Sequence, residues 1–261
     1  MTTEIVNTFD LRKLEQFLLI LTRITAFVHI SPIFGISSIP ARVKIGLSVV
    51  VSFLLYGVLE YQLPEYTSLI DFATLILIET VAGLLLGFGV YLCFSIISLF
   101  GKILDVEVGL SMAAIFDPST KTQASIMGSF YQYVIMILMV MSDMHLYMLR
   151  TLAESYEVIG IGEASANGLL YESMIEFLAR NILVGFKLVL PVFVAMLLVN
   201  IVMGVLAKAA PQMSMFAVGI QIKILVGFFV IYITSRLIPD MTDIIFEEIQ
   251  YAFTQILRGL R

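Results

Sequence analysis

Apolar residues gather along this chain in runs near 14–34, 45–59, 69–100, 124–149, 177–207 and 217–238. A helix crosses a bilayer with about 20 such residues, at about 1.5 Å each, so the pattern predicts six helical spans. The second run is short by that measure and the third is long, as a tilted helix or a helix and a half would be. Turn chemistry separates the runs: Pro32, Gly35, Ser37 and Pro40, then Pro64, then Gly101 through Pro118, then Gly160, Gly162 and Gly168, and finally Pro211. Pro191 sits inside a run and should bend its helix. The tail differs. Ile245, Ile249, Phe253, Ile256 and Leu260 keep helical spacing among polar neighbours, which makes one apolar stripe on a polar helix. Acids match or outnumber bases along it, so docking on a partner is favoured over lying on a membrane surface.

Composition sharpens the class. Of the 261 residues, 60% are hydrophobic and 13% charged, against about a quarter charged in soluble domains. A mean hydropathy of +1.01 would force a soluble fold to expose large apolar areas. The expectation is an all-α, membrane-associated protein. A net charge of -5 supplies no basic field for nucleic acid. One cysteine, Cys93, and two histidines make neither a disulfide framework nor a metal cluster, and no cofactor is expected. The mixed acids and bases of residues 1–16 argue against a cleavable leader. Lys and Arg are too evenly divided between the two sets of loops to orient the chain.

Candidate functional residues are the polar ones that lipid would reject. Arg23, His29, Glu79, Asp143, Lys187 and Lys223 all fall in apolar runs. Ionisable groups there face a protein interior, a wet cavity or another subunit. They pair inside the bundle, relay protons or ions, or meet other chains, and the runs alone leave all three open. Glu79, Gly83 and Gly87 share one helix face, where glycines admit a close partner helix and the carboxylate asks it for a donor. The segment 101–123 is long and mixed, with an apolar centre from Leu110 to Phe116 and an Asp117–Pro118 turn. It reads as a surface loop with an apolar anchor or as a folded-back, pore-lining element. Residues 207–216 place Pro211 before Met213, Met215 and Phe216, a soft apolar patch. HExxH, GxSxG, Walker A and GxGxxG patterns are all absent from the sequence, so no enzyme is expected.

In this order and spacing the residues resemble the FliR family of the bacterial flagellar type III export apparatus. The likeness rests on Arg23, Pro32, Phe34, Pro40, Arg42 and Lys44; on Glu79, Gly83 and Gly87; and on Gly101, Asp105, Gly109, Leu110, Ser111 and Asp117–Pro118. It continues through His145, Ser155 and Pro191 to Pro211–Gln212, Phe216, Gly219 and Lys223. Ser214 departs from the Asn of many members. The resemblance implies an export-gate subunit of the inner membrane and basal body, assembled with FliP and FliQ into a closed helical channel for unfolded flagellar proteins and contacting FlhB. It implies a FliP-like part at 1–175 with a pore loop at 101–123, a FliQ-like helix pair at 176–243 and an amphipathic helix at 244–261. It further implies a plug drawn from Gly109, Leu110, Met112, Ile115, Phe116, Asp117 and Pro118. Arg23, Glu79, Gly83, Gly87, Lys187, Pro211, Gln212, Phe216 and Lys223 would serve packing and assembly. The rival from another class is an ion-coupled secondary transporter using Glu79, Asp143 and Lys187 or Lys223.

Overall fold

The computed structural model describes residues 11–36, 38–58, 64, 66–112, 125–209 and 215–261. Among them the regular structure is helical: α1 (Leu11–Ile30), α2 (Ala41–Tyr56), α3 (Leu69–Val108), α4 (Ile126–Met141), α5 (Met144–Val158), α6 (Gly168–Ala209), α7 (Met215–Thr234), a 3-10 turn (Ser235–Leu237) and α8 (Ile238–Leu260). The protein is an all-α membrane protein.

Among the described residues three stretches are long and apolar enough to cross a membrane: α3, α6, and Val218–Leu260 through the 3-10 turn. Counting α4 with α5 as one broken span makes four, against the six read from the runs. The difference lies in the first two runs, since α1 carries Arg12, Lys13, Glu15 and Arg23 and α2 is short; two of the other helices are longer than their runs. The run at 69–100 does not end at Gly101, because α3 continues for 40 residues, about 60 Å at about 1.5 Å per residue. α6 continues through Pro191 for 42 residues, again about twice a hydrocarbon core of about 30 Å. α2, at 16 residues, is too short to span.

The chain divides into two compact units made of interleaved segments. The first contains residues 1–92, 143–178 and 249–261. Its core takes Leu19, Ile20, Ile24 and Phe27 from α1, Ala82, Leu86 and Val90 from α3, Met148 and Leu152 from α5, and the end of α8. Phe253 of α8 lies 6.1 Å from Phe27, ring centre to ring centre. A Cβ at Gly89 would meet Ile256 and Ala252. All five residues of the C-terminal stripe are buried. The stripe that the sequence offered to a partner is therefore covered by this chain's own helices, since Phe27 and the Gly89 surface supply the apolar face it needs. Backbone amides of Ser165 and Asn167 donate to the carbonyls of Leu260 and Gly259, at 3.0 and 3.2 Å, and satisfy the end of α8.

α2 packs on α1 with its polarity reversed. Ser48 and Ser52 are fully buried, while Val50, Phe53 and Leu54 point outward. Each serine hydroxyl donates to a carbonyl one turn back, Ser48 to Lys44 at 2.9 Å and Ser52 to Ser48 at 2.6 Å. Small side chains let the helices approach, and the apolar face is left for lipid or another chain.

The second unit contains residues 93–142 and 179–248. Ile97, Phe100 and Leu104 of α3 line one pocket with Tyr131 and Ile135 of α4 and Val189 of α6, and Phe94, Val192 and Met196 are buried in the same unit. α3 and α4 cross at Gly101, where a Cβ would overlap the backbone of Gly128. The start of α4 is capped twice. The Ser125 hydroxyl accepts from the Gly128 amide at 2.7 Å, and the Asp105 carboxylate accepts from the Met127 amide at 3.0 Å. These roles explain why 101–108, expected as loop, is helix: Gly101 serves a crossing rather than a turn, and Leu104, Asp105 and Val108 are buried. The helix ends at Gly109, with φ +94°, and the Ser111 amide donates to the Asp105 carbonyl at 3.2 Å.

Gly101→Leu should therefore damage the second unit more than the ~1–3 kcal/mol of ordinary overpacking, because the obstacle is backbone and cannot rotate away. Gly46, which has open space around it, provides the control. Thermal unfolding followed by circular dichroism in detergent should show a lowered midpoint for Gly101→Leu and none for Gly46→Leu. Equal midpoints would remove the crossing from the account of the fold.

Candidate functional site

The polar centre of the first unit is Arg23, which α1 carries into the core with no exposure at all. A guanidinium there must place five N–H donors, and this one does. Nε donates to Glu79 Oε2 at 2.7 Å and Nη2 to Glu79 Oε1 at 2.9 Å, a two-pronged ion pair. Nη1 donates to the Ser155 hydroxyl at 3.2 Å and to the Ile159 carbonyl at 3.4 Å. Nη2 also reaches the carbonyl of Gly160 at 3.4 Å. The guanidinium carbon stands 4.1 Å from the centre of the Tyr156 ring, a cation–π arrangement out of water. The Tyr156 hydroxyl in turn donates to the Ile20 carbonyl at 3.2 Å.

Glu79 is equally buried and equally occupied. Besides the arginine it accepts from the Gly162 amide at 2.7 Å. Gly162 has φ +77°, a conformation that costs a residue with a Cβ and lets the turn after α5 aim its amide at the carboxylate. One ion pair thus joins α1, α3, α5 and the turn that follows α5.

The glycines on the Glu79 face explain how the charges meet. A Cβ at Gly83 would overlap the Arg23 carbonyl and the Ala26 side chain, and one at Gly87 would press on the Phe27 carbonyl and Ile30. α1 and α3 therefore run backbone to backbone one and two turns beyond Glu79. The helix that offers the donor is α1 of this same chain. The structure brings together Arg23, Glu79, Gly83 and Gly87, and adds Ser155, Tyr156, Gly160 and Gly162. Ser155 was visible through the family likeness. The glycine pair around Ile161 was visible only as a turn signal, and Tyr156 gave no signal, because nothing local marks an aromatic ring as a cation's platform.

A profile described as bacterial export proteins, family 1, matches residues 14–249. The chain belongs to that family. Among its relatives, the flagellar biosynthetic protein FliR of Pectobacterium carotovorum subsp. carotovorum is 29% identical over 258 residues, 97% of each chain. The FliR of Bacillus subtilis is 26% identical over 85% of this chain and 86% of its own, and that of Escherichia coli 25% over 92% of each. The family match spans Arg23 and Glu79 with everything that contacts them.

The remaining candidates lie elsewhere. Gly109 ends α3, and Leu110 and Met112 are half-buried just beyond it. Ile115, Phe116, Asp117, Pro118, Pro211 and Gln212 lie outside the described residues. Phe216 belongs to the first turn of α7, its side chain outside that description. Lys187 is exposed on α6 and Lys223 half-buried on α7. The second unit has its own ion pair, which the sequence did not signal: Arg180 Nε donates to both oxygens of Glu248 at 2.8 and 3.0 Å, with Glu248 buried. Among the described residues no group of three His, Cys, Asp or Glu is arranged to hold a metal.

Removing one member of the Arg23–Glu79 pair strands the other charge, a loss of about 3–5 kcal/mol for buried pairs, whereas replacing both by apolar residues can be near neutral. Arg23→Met and Glu79→Gln should each cut the amount of protein in membranes severalfold, and the double Arg23→Met, Glu79→Met should recover much of it. Quantitative blotting of membrane fractions reads this out. A double variant as poor as either single one would mean that the charges act beyond mutual neutralisation.

Proposed function

We propose that this chain is a structural and gating subunit of the flagellar type III protein export gate, part of the channel that passes unfolded flagellar proteins across the bacterial inner membrane at the basal body. The observation that carries this reading is the breadth of the family match, residues 14–249, with FliR relatives aligned over most of their own length. Its partners are FliP, FliQ and FlhB, and exported proteins in transit. It works without catalysis or cofactor.

Two structural facts support an assembled role. α2, α6 and α7 present Phe53, Ile201, Leu225 and Tyr232 at 69%, 64%, 70% and 75% exposure, apolar surface that only lipid or other chains can cover. Helices about twice as long as a bilayer is thick also leave membrane-remote surface for neighbours to bury. In the proposed organisation residues 1–175 correspond to a FliP-like part, 176–243 to a FliQ-like helix pair and 244–261 to the amphipathic end. Lys187, Pro211, Gln212, Phe216 and Lys223 serve assembly, while Arg23, Glu79, Gly83 and Gly87 hold the packing within the first unit.

The plug comprises Gly109, Leu110, Met112, Ile115, Phe116, Asp117 and Pro118. It begins where the glycine at positive φ ends α3, with Leu110 and Met112 half-buried just beyond. The transporter reading has less support. Glu79, its chief relay group, has no exposure and is held by three donor contacts.

Apolar constrictions exclude water and ions by dewetting. Deleting residues 110–116, or replacing Ile115 and Phe116 with Ser, should leave the complex assembled but leaky to ions and small dyes. Dye entry and conductance in cells carrying the full apparatus measure this. An assembled variant as tight as the original would overturn the plug, and loss of coupled transport without a leak would favour the transporter.

A further inference from the structure

Asp105 holds both ends of the segment that joins α3 to α4. Its carbonyl accepts from the Gly109 amide at 3.1 Å and from the Ser111 amide at 3.2 Å, which fixes the direction in which the chain leaves α3. Its carboxylate accepts from the Met127 amide at 3.0 Å, which fixes where the chain enters α4. The crossing of Gly101 on Gly128 makes this possible. It brings the two backbones into contact one turn before Asp105 and beside Met127, so a short side chain reaches the first turn of α4.

Capping alone does not require this residue. Ser125 is the N-cap of α4, and its hydroxyl already accepts from the Gly128 amide at 2.7 Å. A carboxylate that arrives from 22 residues away, and is only 6% exposed, gives up hydration to reach a further amide of the same turn. What it adds is a tie. Exit and entry are bound to one residue and stay together while its bonds stand. We propose that Asp105 is a positioning residue of the plug, a clamp that holds the roots of the plug segment together and sets how readily the channel unseals. Segments of a protein open locally at free energies set by the few contacts that hold them. Loss of the clamp therefore raises the open population, while the Gly101–Gly128 crossing, which is steric, keeps the helices packed. The proposal rests on the plug reading and adds the residue that governs its release.

The test uses the full apparatus in cells. Dye entry is compared for the original, Asp105→Leu, Asp105→Asn, Ser125→Ala and the 110–116 deletion, and recovery of the tagged chain in its complex checks assembly. Asp105→Leu should assemble and admit dye about fivefold faster or more, the change in population that loss of one capping acceptor corresponds to. Asp105→Asn keeps an acceptor oxygen and should stay near the original. Ser125→Ala weakens the cap but leaves the tie, and should stay near it too. Where Asp105→Leu does not assemble, Asp105→Ala takes its place. Ser111→Cys reports on the exit turn directly, because the single native cysteine, Cys93, is buried. Its labelling by a maleimide should accelerate by a similar factor with Asp105→Leu and not with Ser125→Ala. An assembled Asp105→Leu that stays tight where the deletion leaks would overturn the clamp and leave the plug standing. Equal effects from Ser125→Ala would overturn it as well, by reducing Asp105 to an ordinary cap. A deletion as tight as the original would sink the plug, and the clamp with it.

Discussion

An arginine with no exposure to water gives up its hydration entirely, and the fold around it must replace every lost hydrogen bond. Arg23 obtains that replacement from three places: the Glu79 carboxylate on α3, the Ser155 hydroxyl and the face of Tyr156 on α5, and the carbonyls of Ile159 and Gly160 in the turn after it. Each lies on a different stretch of chain, so the charge is neutral in effect only when α1, α3, α5 and the following turn are all in place. A buried ion pair adds little net stability compared with well-packed apolar residues, but it penalises incomplete or misregistered arrangements heavily. In an apolar bundle, where leucine packs acceptably against almost anything, that penalty selects one arrangement.

The glycines act on the same problem from the side of sterics. Gly83 and Gly87 let α1 lie against α3 closely enough for an arginine to span the gap, and Gly101 with Gly128 does the same for α3 and α4. Polar groups then reinforce the crossings where helix ends would otherwise leave amides bare, as Asp105 does for the start of α4. Close backbone contact and saturated polar groups are what hold helices together where no hydrophobic drive separates them from lipid. What is left outward is long and apolar, on α2, α6 and α7. Those faces are written for membrane and neighbours.

Several features were legible in the residues alone. Composition and run length determined an all-helical membrane protein, and the order of short motifs determined its family. The shared face of Glu79, Gly83 and Gly87 predicted a closely packed helix with a donor, and the five-residue stripe at the C-terminus predicted a helix docked by one side. Each of these is a local or periodic property, carried by spacing along one helix. What spacing does not carry is the identity of the other surface. Only the tertiary structure decided that the donor is Arg23, 56 residues away, that the C-terminal stripe is covered by Phe27 and the Gly89 face, and that the helix begun in the run at 69–100 continues to Val108. The reason is physical: a helix face advertises the kind of contact it needs, while the partner is chosen by which distant segment arrives with complementary shape and charge, and that is settled only when all segments are packed at once.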